Sequence, residues 1–133
     1  MPDRNEHNVV SPPCLILAHP NRDYQSVLGR AFRRLGWDVY LAHSGPEARR
    51  LARMLEADVV ILHAELPEES GWLTCDKLTR EQPQTRVVLV NDNHSHRNRE
   101  LADFVGACVL LHPAEGMAPL IEQLLGATVH AAG

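Results

Sequence analysis

The sequence predicts an α/β protein built on a doubly wound parallel sheet of five strands. Five short apolar runs recur along the 133 residues, each too short for a helix and each followed by a segment long enough for a crossover helix. Runs such as VVIL and VVLV are apolar at every position, which is typical of strands covered on both faces. The predicted strands are Cys14 to Leu17, Val39 to Leu41, Val59 to Leu62, Val87 to Val90 and Val109 to Leu111.

Helices between these strands are predicted from apolar spacing and from residues that start or stop helices. In the first helix, apolar residues at helical spacing include Val27 and Leu35, and Gly36 is a good C-terminal cap. The predicted helices are residues 23–35, a second that starts near Pro46, a third capped by Ser70 and ending before Pro83, and two more at about 95–104 and 115–125. In such a sheet, functional groups collect at the carboxyl ends of the strands.

The composition indicates one soluble domain. We expect it to cover residues 13–126, with a flexible arm at 1–12 and a flexible tail at 127–133. No apolar run reaches membrane-spanning length and the N-terminus lacks a signal-peptide core, so we expect a cytoplasmic protein with no membrane partner. The net charge of −4 argues against nucleic acid as a partner, and the three widely spaced cysteines are expected to be reduced thiols.

Four stretches of sequence carry a family resemblance. They are LILAHPNRDYQSVLGRAFRRLGWDV from Leu15, ADVVILHAELPEESGW from Ala57, VVLVN ending at Asn91, and GACVLLHP from Gly106. These stretches resemble parts of a response-regulator receiver domain. The first resembles the family's first strand, acidic pair and first helix, and the second resembles its third strand with the phosphoacceptor aspartate. The third resembles the end of strand four, and the fourth resembles the fifth strand with its Lys-Pro pair. The resemblance covers about residues 13–126. It implies the CheY-like, flavodoxin-like strand order 2-1-3-4-5 and a role in two-component signal transduction.

The reactive positions of that family are occupied by other residue types. His19 and Pro20 fall on the acidic pair, His63 on the acceptor aspartate, Asn91 on the hydroxyl residue and His112 on the lysine. Without an acceptor carboxylate no acyl phosphate can form, and imidazoles replace the oxygen ligands that Mg²⁺ prefers. The resemblance therefore implies a vestigial phosphorylation pocket in a pseudo-receiver, with no catalytic residues, no cofactor and no enzymatic activity.

A transition-metal site is the alternative for the same residues. His19, His63 and His112 end strands that the family's order makes neighbours, and Glu65 is a candidate fourth ligand. Neutral imidazoles suit Zn²⁺, Ni²⁺ or Cu²⁺. None of the familiar close ligand spacings occurs in the sequence. A metal-sensing or small-ligand-sensing module therefore stays open beside the pseudo-receiver.

Contact with a protein partner, or with a second copy of the chain, is the function that the resemblance favours. The family's usual output surface combines helix four, strand five and helix five. Its candidate residues here are Arg97, Leu101, Phe104, Val109 and Leu111. The arginines of the second helix, Arg49, Arg50 and Arg53, are expected to form a solvated face.

Overall fold

The computed structural model describes residues 12–91, 96–105 and 109–111. Strands and helices alternate along these residues, as the apolar runs and the spacing between them predict. The strands are β1 (Cys14–Ala18), β2 (Asp38–Ala42), β3 (Val59–His63), β4 (Arg86–Val90) and β5 (Val109–Leu111). The helices are α1 (Arg22–Arg34), α2 (Gly45–Leu55), α3 (Gly71–Glu81) and α4 (His96–Val105).

All the strand pairs are parallel. Four strands of five residues lie in the order β2-β1-β3-β4, and the three-residue strand β5 pairs with β4. The predicted α/β fold with a CheY-like parallel sheet is thus confirmed. The predicted fifth helix at 115–125, the arm at 1–11 and the tail lie outside the described residues, so the predicted domain limits stay predictions.

Local sequence explains where α1, α2 and α3 begin. Asn21 and Ser70 accept hydrogen bonds from the third residue that follows, at 3.0 and 3.2 Å, and so satisfy N–H groups that a first turn leaves open. Ser44 does the same for α2, where the Glu47 carboxylate also accepts from the N–H of His43 at 2.7 Å. The two bonds resemble a capping box, except that Glu47 accepts from the residue before the N-cap rather than from the N-cap itself. The predicted cap at Ser70 is confirmed.

The sheet separates two apolar cores, because successive strand residues point to opposite faces. On the α1 face, Leu15 and Leu17 pack with Phe32 and Trp37, whose rings meet edge to face at 5.6 Å. The other face is built differently, since four of its fully buried residues are alanines: Ala18, Ala42, Ala48 and Ala52. These small side chains let part of α2 approach the sheet closely, while Leu51 and Leu55 of α2 pack against the same core.

Within residues 12–91 and 96–105, no helix combines the length and the apolar character needed to cross a membrane.

Candidate functional site

Two of the predicted pocket histidines meet at the carboxyl edge of the sheet. His19 directly follows β1, and His63 is the last residue of the neighbouring strand β3. Their ring centroids are 4.7 Å apart, with the rings at 66° to each other. His63 is buried, at 6% exposure, whereas His19 is partly exposed. The parallel register of the two strands accounts for this meeting, because their ends lie side by side.

Backbone hydrogen bonds fix the tautomer of both neutral imidazoles. The N–H of Asn21 donates to Nδ1 of His19, and the N–H of Glu65 donates to Nδ1 of His63, each at 3.0 Å. A ring nitrogen that accepts a hydrogen bond carries no proton, so each neutral ring has its proton on Nε2. Each ring thereby stabilises the turn that follows its own strand.

Three other residues lie at the same edge of the sheet as the two histidines. Tyr24 lies against His19 with a centroid distance of 4.5 Å, and burial raises the pKa of its hydroxyl. Pro20 is exposed, while Asn91 directly follows β4 and is partly buried. His112, the remaining predicted pocket residue, lies outside the described residues. The structure thus brings together His19 and His63 and leaves the position of the third imidazole open.

The chemistry of these donors does not fit Mg²⁺. At the positions that resemble the acidic pair and the acceptor, His19 and His63 offer imidazole nitrogens, and Pro20 has neither a side-chain ligand nor an N–H. Mg²⁺ binds oxygen ligands in near-octahedral geometry. In the part of the chain that the structure describes, no three His, Cys, Asp or Glu side chains converge as a metal-binding group. Glu65, the candidate fourth ligand of the alternative site, is exposed.

The segment after His63, residues 64–70, is closely held by backbone contacts. The N–H of Ala64 donates to the carbonyl of Val90 at 2.8 Å, and the N–H of Gly71 donates to the carbonyl of Ala64 at 2.8 Å. A Cβ atom at Gly71 would collide with the carbonyl group of His63. Glycine is therefore required here by the close approach of α3 to the end of β3.

A buried carboxylate that the sequence did not reveal lies at the end of this segment. Glu69 is 8% exposed and interacts with Arg49 of α2 and with Thr74 and Lys77 of α3. Desolvation alone would raise the pKa of Glu69, but the hydrogen bonds from Lys77, Arg49 and Thr74 outweigh it and the pKa is lowered. The expectation of a solvated arginine face was wrong for Arg49. Its side chain is only 21% exposed because it reaches across to this carboxylate.

A second residue missed by sequence reasoning connects β1 to β2. Gln25 of α1 is 2% exposed, and its Nε2 donates to the carbonyls of Leu17 and Ala42, both at 2.9 Å. These carbonyls belong to the ends of the two strands, just before the histidine edge. A polar residue at a core-facing helical position was the available signal, although helical spacing alone favoured Val27, which is 56% exposed.

Within the described residues, Cys14 and Cys75 are not joined in a disulfide. Cys75 is fully buried and Cys14 partly so. Burial, together with the nearby carboxylates of Asp58 and Asp38, raises the pKa of the Cys14 thiol. A thiol with a raised pKa forms less of the reactive thiolate. Cys108 lies outside the described residues.

The predicted interaction surface is described in part. Arg97 is exposed on α4, and Leu101 on the same helix is 37% exposed. Phe104 also lies in α4, while Val109 and Leu111 are the first and last residues of β5. The helix that should complete this surface, at residues 116–125, lies outside the described residues.

Comparison with known proteins agrees with this architecture. The family model of the response regulator receiver domain matches residues 16–112. A curated relative, the Probable transcriptional regulatory protein TcrX of Mycobacterium tuberculosis, is 33% identical over 73 residues, which are 55% of this chain and 31% of that protein. The chain thus matches about a third of the length of this relative.

Solved structures show the same fold. The signal receiver domain of an HD domain-containing protein from Pseudomonas fluorescens Pf-5 superposes with a TM-score of 0.82 at 21% identity, over 90% of this chain and 96% of that one. A response regulator from Burkholderia pseudomallei, solved with a phosphorylated aspartic acid, calcium and citrate, gives a TM-score of 0.71 at 24% identity, over 76% of this chain and 59% of that one. The match to the receiver family model covers well over half of the sequence, and this chain belongs to the family of response regulator receiver domains, the signalling modules of two-component systems.

Proposed function

We propose that this receiver domain is a pseudo-receiver, which signals by binding a protein without being phosphorylated. The observation that carries the proposal is His63 at the end of β3, the position that resembles the acceptor aspartate. This side chain is 6% exposed, and its Nδ1 already accepts a backbone hydrogen bond. An acyl phosphate requires a carboxylate nucleophile, which an imidazole cannot replace.

The surroundings of His63 support the same conclusion. Phosphoryl transfer depends on cations that neutralise the transferred oxygens, and Mg²⁺ is the usual one. With His19 and Pro20 at the positions that resemble the acidic pair, those two positions supply no carboxylate to hold that ion. The amide of Asn91 cannot supply the hydroxyl by which the family couples phosphate to helix four.

Mass spectrometry tests the chemical half of the proposal. We expect the chain to stay unmodified after incubation with acetyl phosphate and Mg²⁺, with an ordinary receiver as the positive control. The variant His63→Asp should also stay unmodified, since His19 and Pro20 still supply no metal ligand. Stoichiometric addition of one phosphoryl group to the wild-type chain, at any residue, would contradict the proposal.

A metal-sensing module is the second candidate, and the 4.7 Å approach of the His19 and His63 rings is the observation that favours it. Against it, binding through Nε2 would move each proton to Nδ1 and cost both backbone hydrogen bonds. Thermal unfolding with Zn²⁺, Ni²⁺ or Cu²⁺ decides between the two. A rise in Tm that is lost in His63→Asn would favour the metal module, whereas equal rises in the wild type and in His63→Asn would not.

The binding half of the proposal concerns the surface of α4 and β5. We expect a protein partner or a second copy of the chain to bind there, so that Arg97→Glu or Leu101→Asp abolishes its capture from the native host. Val27→Asp is the matched control, because Val27 is an exposed apolar residue on α1, across the sheet. His63→Asn should retain binding. Loss of binding in Val27→Asp alone would place the partner elsewhere.

A further inference from the structure

We propose that Glu69 is an internal counter-ion that fixes the segment 64–70 onto α2 and α3, and so holds the edge around His63 in a single conformation. Glu69 is then a positioning residue, acting through the backbone on either side of it. The inference concerns the conformation of this segment and does not depend on the proposed function.

The contacts of the carboxylate come from two helices. From α2, Nε and Nη2 of Arg49 donate to its two oxygens at 2.9 and 3.3 Å. From α3, Nζ of Lys77 and Oγ1 of Thr74 donate at 2.7 and 2.8 Å. Every oxygen of the buried group is therefore paired with more than one donor, and the forked Arg49 contact also sets its orientation.

The backbone around Glu69 needs such support. Glu68 has φ 68°, the left-handed region that side chains other than glycine rarely adopt. The N–H of Glu69 turns back onto the carbonyl of Pro67 at 2.7 Å. A strained conformation of this kind persists only where the surrounding structure imposes it. The paired carboxylate of Glu69 is one described group that can impose it, from the residue that follows Glu68.

Steric fit at the start of α2 adds a second constraint. A Cβ atom at Gly45 would lie 2.8 Å from the carbonyl oxygen of Glu69 and would also collide with Thr74. The first turn of α2 therefore packs directly on the backbone of Glu69. Held by this packing on one side and by the carboxylate on the other, residue 69 fixes where the segment returns to α3.

Two positively charged side chains face the carboxylate of Glu69. Among the described residues, Arg49 of α2 and Lys77 of α3 face it, and Arg49 is shared with Glu81 at 3.4 Å. The lowered pKa of Glu69 agrees with two cations that favour its ionised form. Protonation or neutral substitution should consequently loosen the segment before the rest of the fold opens.

Hydrogen exchange on the full chain, followed by NMR, tests the inference in Glu69→Gln. We expect exchange of the Glu65 and Gly71 amides to rise at least about tenfold, with the amides of β3 unchanged, because charge-assisted hydrogen bonds are lost only at the segment. Asp76→Asn is the matched control. It removes the exposed pair with Arg80 on the same helix and should leave both amides unchanged.

Equal protection of the Glu65 and Gly71 amides in wild type and in folded Glu69→Gln would overturn the proposal. If Glu69→Gln does not fold, Lys77→Met supplies the test, because it removes one contact and leaves Arg49 in place. A second test uses the wild type, in which the ratio of amide opening at Glu65 and Gly71 to amide opening in β3 is measured against pH. This ratio should rise as the pH falls through the lowered pKa of Glu69, because the carboxylate loses its charge. A pH-independent ratio would equally overturn the inference.

Discussion

Replacing Gln25 by methionine removes two buried hydrogen bonds while nearly preserving side-chain volume. The Nε2 of Gln25 is the donor to the carbonyls of Leu17 and Ala42, and its side chain is 2% exposed. Each buried carbonyl left without the amide donor costs about 1–3 kcal/mol, so we expect the loss at the two carbonyls to lower the free energy of unfolding of Gln25→Met by about 2–6 kcal/mol. For a domain of this size, that loss lowers Tm by roughly 10 °C or more.

Urea unfolding followed by circular dichroism measures this loss directly. Ser26→Ala, at the exposed neighbouring position of α1, is the control and should change stability by less than about 0.5 kcal/mol. Gln25→Glu should be worse than methionine at neutral pH, because a carboxylate would face two carbonyl oxygens. A Gln25→Met protein within about 0.5 kcal/mol of wild type would refute the view that this amide stabilises the ends of the two strands.

Three further outcomes test other parts of the fold. Gly71→Ala should cost about 1–3 kcal/mol in urea unfolding, because its Cβ would collide with the carbonyl group of His63; unchanged stability would mean that α3 does not approach β3 this closely. Ser44→Ala should cost about 1 kcal/mol in the same assay through loss of its bond from the N–H of Glu47, whereas Ser44→Gly should cost less. The pKa of Glu69 is lowered in the folded state. The ionised carboxylate therefore makes its full contribution to the free energy of unfolding above the ordinary pKa of 4.5, and this contribution is lost as the pH falls through the lowered pKa of the folded state. The stability difference between wild type and Glu69→Gln should therefore shrink in acid, and a constant difference would contradict this linkage.

Much of the fold could be predicted from the sequence because its determinants are local. Apolar runs identify the strands, and a cap such as Ser70 acts within three residues of itself. The proximity of His19 and His63 followed from a longer argument, in which a resemblance supplied the strand order and the parallel arrangement aligned the strand ends. Geometry then agreed, since the two rings lie 4.7 Å apart.

The parts that escaped sequence reasoning depend on tertiary contacts. Arg49 is one of three similar arginines on α2, and only the position of Glu69, 20 residues away, distinguishes it from Arg50. Likewise, helical spacing cannot show that the carbonyls of Leu17 and Ala42 lie within reach of a donor on α1, where Gln25 is buried and Val27 is exposed. Polar groups that satisfy distant backbone atoms leave no periodic pattern in the sequence.

The alanine-lined contact between α2 and the sheet makes the two sides of this domain unequal as targets for engineering. On the α1 side, the large rings of Phe32 and Trp37 fill the core, so truncation is the damaging change there. Beneath α2, Ala48 and Ala52 are already nearly as small as a side chain can be, and enlargement becomes the damaging change. A library that aims to redesign this domain should therefore keep large residues at Phe32 and Trp37 and small residues at Ala48 and Ala52.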